Sequence, residues 1–315
     1  MGKDFASIPD MNLQIGFSNG ELQDSVFNPD IMKRILSIAV FLLAVMTASA
    51  QSKSRIVTDS LYSSVLQCTK EYDVYLPKHY DENSDKSYPV LYLLHGYSGD
   101  NHNWNKRGRV REVLEYLLNA GEICEMIVVM PDADADIPRA EHGYFNHPHW
   151  RYEDYFFTEF LPCVEKRYRI KADKAHRAVA GLSMGGGGTV SYAQKHPELF
   201  CAAYAMSALM ENVEGRLPHE DPKVNTMRQS AKDNSCVAFV RDASEDVRNQ
   251  LRTVRWFVDC GDDDYLLGGN LDFIQEMRKA QIPFEFRVRE GAHVWEYWHS
   301  ALYICLPFVT RTFGN

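Results

Sequence analysis

Ser183 lies in Gly181-Leu182-Ser183-Met184-Gly185, between an apolar run, Arg177-Ala178-Val179-Ala180, and a glycine-rich stretch, Gly185 to Gly188, that leads into Thr189-Val190-Ser191-Tyr192-Ala193. The order predicts a strand, a sharp turn and a helix, with the serine hydroxyl as candidate nucleophile. At such a turn the serine is lifted out of the sheet in a strained backbone that only small neighbours permit. The helix N-terminus beyond it points backbone N–H groups, that of Met184 among them, at the space where an oxyanion would form.

A serine hydroxyl attacks only with a base in reach and a third group to orient that base. On sheets of this kind the acid and the base follow the serine in the chain, on loops after later strands. Gly291-Ala292-His293, after the strand expected at Phe284–Val288, supplies a tight turn and the candidate base His293. Gly261-Asp262-Asp263-Asp264, after the strand expected at Arg255–Cys260, supplies carboxylates. Asp259 falls inside that strand, and Asp262 and Asp263 could equally cap the turn or the next helix. Residue chemistry alone leaves the choice among the turn carboxylates open. His95-Gly96-Tyr97 closes the first buried strand, where the second oxyanion donor belongs, a backbone N–H assigned here to Tyr97.

The elements that must hold these groups alternate along the chain. Val57–Val65 and Glu71–Leu76 read as edge strands. Tyr88 to Leu94 and Met126 to Met130 are continuous apolar runs, as in strands buried on both faces. Val110, Val113, Leu114, Leu117 and Leu118 repeat at helical spacing, as do Phe157, Phe160, Leu161, Val164 and Tyr168. Cys201–Met206 is a further strand, Leu271–Ala280 a helix and Trp295–Phe313 a final helix. Residues 211–235 lose the rhythm and read as an insertion or long connection. Strands alternating with helices predict an α/β fold: one domain over 51–315, with a mostly parallel central sheet and helices on both faces.

Composition narrows the partners. The net charge is −9 and no basic stripe is present, which argues against a nucleic-acid partner. The seven cysteines are scattered and odd in number, unlike a disulfide scaffold; Cys124, Cys201, Cys260 and Cys305 lie in apolar runs and read as buried small hydrophobes. Met32-Lys33-Arg34, the apolar Ile35 to Val45 and Ala48-Ser49-Ala50 form the three parts of a secretory signal cleaved before Gln51. Its apolar part, roughly a dozen residues, is short for a membrane span. Residues 1–31 are then a mis-called or disordered extension and 32–50 a signal peptide. The expected product is exported to the periplasm or beyond, with no stable membrane span once the signal is removed.

Leu94-His95-Gly96, Gly181-Leu182-Ser183-Met184-Gly185-Gly186, Cys260-Gly261-Asp262-Asp263-Asp264 and Gly291-Ala292-His293-Val294-Trp295, in this order, resemble the esterase D or feruloyl-esterase-like family, which includes the family 1 carbohydrate esterases. The resemblance covers about residues 55–313. It implies an α/β-hydrolase fold and a serine hydrolase of carboxylic esters that uses neither metal nor organic cofactor. It also implies the acid, because the family places it three residues after the glycine of the C-G-x-x-D turn, which is Asp264 here. His293 would take the Ser183 proton, Asp264 would hold the imidazole, and water would release an acyl-serine.

Trp104, Tyr144, Trp150, Trp295, Tyr297 and Trp298 fall in loops near these motifs, and aromatic faces suit sugar rings or a phenolic acyl group. Trp104, Trp150 and Trp295 are taken as substrate contacts. With export, the resemblance points to a feruloyl or acetyl group on xylan, so the expected partner is an ester-substituted oligosaccharide or a small phenolic ester. A non-catalytic carbohydrate-binding module, or an esterase for siderophore or lipid esters, are the alternatives. His142, His147 and His149 with Asp132, Asp134 and Asp136 suggest a metal only superficially, lacking an i, i+4 histidine pair or a complete calcium loop; no metal site is expected.

Overall fold

The apolar run Val90–Leu94 lies in the interior of an eight-stranded sheet, since a strand without polar side chains is stable only where both its faces are covered. Val90, Tyr92 and Leu94 enter the core on one face, Leu91 and Leu93 the core on the other. The structure, a computed structural model, describes Asp30 and residues 32–37, 53–133, 142–211 and 220–314. By its internal contacts the chain divides into two units, Met1–Ser52 and Lys53–Asn315. In the first unit, residues 32–37 are helical.

The sheet belongs to the second unit. Its strands are β1 (Arg55–Ser63), β2 (Cys68–Leu76), β3 (Val90–Leu94), β4 (Ile127–Pro131), β5 (Arg177–Leu182), β6 (Ala202–Met206), β7 (Arg255–Gly261) and β8 (Phe284–Arg289). They lie in the order β1-β2-β4-β3-β5-β6-β7-β8. The pairs β1–β2 and β2–β4 are antiparallel, and every other pair is parallel. The main helices are α1 (Val110–Asn119), α2 (Leu161–Arg167), α3 (Met184–Lys195), α4 (Pro222–Asp233), α5 (Cys236–Arg241), α6 (Glu245–Leu251), α7 (Leu267–Lys279) and α8 (Trp295–Thr312).

Helices α1 and α8 cover one face through Val113, Leu114, Leu117, Leu302, Leu306 and Val309. On the other face, α2, α3, α5 and α7 contribute Val164, Val190, Val240 and Phe273. Each such fully buried side chain stabilises the fold by roughly 1.5–3 kcal/mol. The mostly parallel sheet with helices on both faces is the architecture that the alternation of elements predicts.

One sequence expectation needs correction, and one segment shows more structure than its sequence suggests. Within 211–235, residues Pro222–Asp233 form helix α4, which begins behind Asp221, whose carboxylate accepts from the Lys223 N–H at 2.9 Å. Apart from Val224 and Ala231 its described positions are almost all polar, so no apolar stripe announces the helix in the sequence. Residues 212–219 lie outside the described residues. Cys124 is half-buried rather than buried, with its Sγ 3.8 Å from the Thr310 hydroxyl, while Cys201, Cys236, Cys260 and Cys305 are buried and all seven cysteines are free. Of the expected signal segment 32–50, only 32–37 fall among the described residues, as helix; the rest, like Asp134 and Asp136, lie outside them. No helix of the described residues is long and apolar enough to cross a membrane.

Strand register sets the site. Leu94 stands opposite Gly181, Leu182 opposite Met206, Met206 opposite Asp259, and Gly261 opposite Arg289. The loops after β3, β5, β6, β7 and β8 therefore emerge side by side at the carboxyl edge of the sheet, where open α/β sheets hold their ligands.

Candidate active site

Ser183 occupies the turn between β5 and α3 with φ 54° and ψ −116°, a conformation that a residue with a Cβ rarely adopts. Backbone hydrogen bonds hold it there. Its N–H donates to Met206 O at 2.9 Å, and its carbonyl accepts from the N–H groups of Gly187 at 3.0 Å and Leu209 at 2.9 Å. The flanking glycines are required by contact: a Cβ on Gly185 would lie 2.4 Å from His95 O, and one on Gly181 2.4 Å from Gly185 O. Such distances are closed to any larger residue, so the G-x-S-x-G pattern reflects three backbones packed against one another.

His293 and Asp264 meet this serine. His293 Nε2 is 2.9 Å from Ser183 Oγ, and His293 Nδ1 is 2.8 Å from Asp264 Oδ2 and 3.1 Å from Oδ1. The Asp264 side chain is wholly buried and that of His293 is 14% exposed. Burial pushes the Asp264 carboxyl up, but the hydrogen bonds from His293 and the Leu266 N–H outweigh it and hold the carboxyl below its ordinary value. The imidazole is boxed by Tyr265, with ring centres 4.6 Å apart, and by Trp298 edge-on at 4.9 Å.

The remaining turn carboxylates do other things. Asp262 Oδ1 accepts from the Gly291 N–H at 2.9 Å and so ties the turn that carries Asp264 to the turn that carries His293. Asp263 is exposed, and its N–H donates to Gly291 O at 3.0 Å. Asp259 is buried in β7, gripped by Arg289 through two 3.1 Å contacts and accepting from the hydroxyls of Tyr204 and Tyr297.

A cleft of about 390 Å³ opens over the serine, lined among others by Tyr97, Arg107, Ser183, Tyr265, His293 and Trp295. Met184 is the first residue of α3, so its N–H has no partner within the helix. Tyr97 follows Gly96 at the end of β3 and lines the same cleft. The loop is braced by His95: its Nε2 accepts from the Ala133 N–H at 2.9 Å, which leaves Nδ1 as the donor to Gly96 O at 2.8 Å.

Among the expected substrate contacts, only Trp295 reaches the cleft. Trp104 is wholly buried, donates its indole N–H to Leu94 O at 3.0 Å, and supports Trp295 edge-on at 5.5 Å. Trp150 is also buried, with its indole N–H on Gly143 O at 2.8 Å and the His142 ring stacked on it at 3.8 Å. Neither presents a face to a ligand, because both large apolar rings are used to fill the core beneath the site. Tyr144 and Tyr297 are buried likewise. Tyr265 and Arg107, which line the cleft, carry no sequence signal beyond their nearness to motif residues. Of the residues that suggested a metal, Asp132 receives Lys70 Nζ at 3.0 Å and His142 stacks on Trp150.

The family model described as Putative esterase matches residues 63–309, and the chain belongs to that family. A solved structure titled ferulic acid esterase is 54% identical, with a TM-score of 0.81 over 84% of this chain and 100% of that chain. Among curated proteins, the endo-1,4-beta-xylanase/feruloyl esterase of Xylanibacter ruminicola is 28% identical over 235 residues, 73% of this chain and 28% of its own length. An esterase of Mycobacterium tuberculosis is 28% identical over 260 residues, 71% of this chain and 52% of its own length. The chain thus spans between about a quarter and about half of these curated relatives.

Proposed function

We propose that this chain is a serine carboxylic-ester hydrolase that removes feruloyl or acetyl groups from plant polysaccharide. The observation that carries the reading is the unbroken chain from Asp264 through His293 to Ser183, in which every link is within hydrogen-bond reach. In the proposed mechanism Ser183 Oγ attacks the ester carbonyl while His293 Nε2 takes its proton. Asp264, kept ionised by its donors, holds Nδ1–H and offsets the imidazolium charge. The carbonyl oxygen becomes an oxyanion that the Met184 and Tyr97 N–H groups receive; one such donor is worth about a hundred- to a thousand-fold in rate. His293 then protonates the leaving alcohol, and water, deprotonated by the same imidazole, releases the acid from the acyl-serine.

The acyl preference is read from the cleft wall. Tyr265, Trp295 and Trp298 wall the cleft with aromatic surface suited to a phenolic acyl group, and the ferulic acid esterase at 54% identity supports feruloyl over acetyl. Residues 32–50 are proposed to direct export to the periplasm or beyond, where such polymers are met.

Purified protein assayed on methyl ferulate, acetylated xylan and p-nitrophenyl acetate tests the reading. Hydrolysis of at least one, abolished by Ser183→Ala in a variant that still folds, is the expected result. Full turnover by the Ser183→Ala variant would reject the mechanism, and inactivity of the parent on all three would redirect the search to siderophore or lipid esters.

A further inference from the structure

Helix α8 leads away from the cleft with a row of aromatic rings along its flank. Leu302, Leu306 and Val309 belong to its buried stripe. Trp295, His299 and Tyr303 recur beside that stripe at every fourth residue, and the helical rise spreads them over roughly 12 Å. Trp295 lines the cleft that holds Ser183. The His299 ring meets Tyr303 edge-on at 5.7 Å, and Tyr303 meets Tyr116 of α1 edge-on at 5.9 Å. His299 Nδ1 is 2.9 Å from Gly108 O; a carbonyl only accepts, so Nδ1 carries the proton there. Its Nε2 has no partner among the described residues and is left to accept from a ligand. Arg109, which follows that glycine, holds φ 52° and pairs with Glu112, one turn before Tyr116 on α1.

Tyr303 is 39% exposed and Tyr116 61%, and neither belongs to a core cluster. A single exposed apolar side chain is ordinary on a protein surface. Two tyrosines that touch each other and continue a row out of the cleft are a surface with a direction. We propose that this row is a track for the polysaccharide that carries the ester: sugar rings lie against Tyr303 and Tyr116 while the acyl group enters the cleft past Trp295. The inference rests on the polymer substrate proposed above and adds the path by which the chain leaves the site. Aromatic faces suit the apolar faces of sugar rings, and His299 Nε2 and the Arg109–Glu112 pair offer hydrogen bonds to their hydroxyls. A row this narrow fits a thread-like ligand, whereas a protein partner needs about 20–30 residues a side.

The test sets polymers against small esters. Tyr303→Ala, Tyr116→Ala and the double variant are assayed on acetylated xylan and feruloylated arabinoxylan, beside p-nitrophenyl acetate and methyl ferulate. KM for the polymer should rise about 3-fold in each single variant and about 10-fold in the double, with kcat unchanged. Neither tyrosine lines the cleft, so kcat/KM on the small esters should stay within about 2-fold of the parent. Tyr303→Phe and Tyr116→Phe keep the rings and should behave as the parent on every substrate. Binding is read without turnover in a Ser183→Ala background, as retarded migration through a gel containing soluble xylan; adding the two alanines should abolish most of the retardation. Equal polymer KM, or equal migration, in the parent and the double-alanine variant overturns the proposal. So does a parent that elutes as a dimer and becomes monomeric on loss of the tyrosines, since the row would then join two copies of the chain. Failure of the polymer substrate itself reads differently, as a parent that turns over small esters and neither polymer, and it removes the track with it.

Discussion

Gly261 and Gly291 are packed so closely that a Cβ on Gly261 would stand 2.1 Å from the Gly291 carbonyl oxygen. The contact joins the turn that carries Asp264 to the turn that carries His293, and the Asp262 carboxylate on the Gly291 N–H closes the same junction. Gly291 itself has φ 143°, a region that side chains rarely occupy. Gly261→Ala should therefore part the acid from the base. A misplacement of about 1 Å costs on the order of a hundred-fold in rate, so kcat on p-nitrophenyl acetate should fall by about that factor. Near-parental kcat in this variant would show that the two turns are not coupled.

The strain at Ser183 gives a prediction for stability that does not depend on activity. Ser183→Ala and Ser183→Gly both remove the hydroxyl, but only glycine adopts φ 54° without steric cost. The glycine variant should be more stable than the alanine variant by about 1 kcal/mol, read as a higher midpoint in thermal unfolding.

Asp259 and Asp264 should separate cleanly. Asp264→Asn leaves the geometry, but with its oxygen kept on the Leu266 N–H its amide NH2 faces His293 Nδ1 and donates there, which favours the wrong tautomer, and kcat should fall about 10⁴-fold in a folded protein. Asp259→Asn leaves Arg289 without its buried partner, which should cost about 3 kcal/mol of stability while kcat per folded molecule stays within a few-fold. The check is urea unfolding beside active-site titration. The reverse assignment of effects would move the acid to Asp259.

The Asp264 carboxyl also makes stability depend on pH. Its folded value lies below the ordinary 3.8, so between the two values the folded protein binds fewer protons than the unfolded chain. The stability it contributes is complete above about pH 4 and is lost as pH falls through the folded value. Urea midpoints measured from pH 6 to pH 2 should fall less steeply for Asp264→Asn than for the parent.

Trp295 and Trp104 touch each other yet should behave as opposites. Trp295→Ala opens the cleft wall and should raise KM for methyl ferulate more than for p-nitrophenyl acetate. Trp104→Ala removes a wholly buried ring and should destabilise by about 3–5 kcal/mol. Loss of solubility or a lowered unfolding midpoint in the second variant alone is the expected outcome.

Much of this site was legible because its chemistry is tied to small residues. Gly181 and Gly185 mark the turn at Ser183 in the sequence because backbone contacts at 2.4 Å exclude anything larger. Gly261 and Gly291 mark the other two loops for the same reason. The choice of Asp264 came from a resemblance and not from residue types, since four carboxylates within six residues look alike until their surroundings are known. Trp104 and Trp150 misled, because a large aromatic residue near a motif serves a core as readily as a cleft, and only burial distinguishes the two. Helix α4 was missed because its described side chains are nearly all polar, so it shows no apolar stripe.

The strand that delivers His293 is the outermost of its sheet among the described residues, bonded only to β7. Its free rim of amides and carbonyls would ordinarily invite another molecule to add itself as a ninth strand. Glu285 and Arg287, alternating along β8 with Phe284 and Phe286, set charge beside that rim, and docking a foreign strand would mean stripping water from those groups. By this argument, charges that discourage clumping at high concentration would also shield the loop that carries His293 from a neighbour's strand.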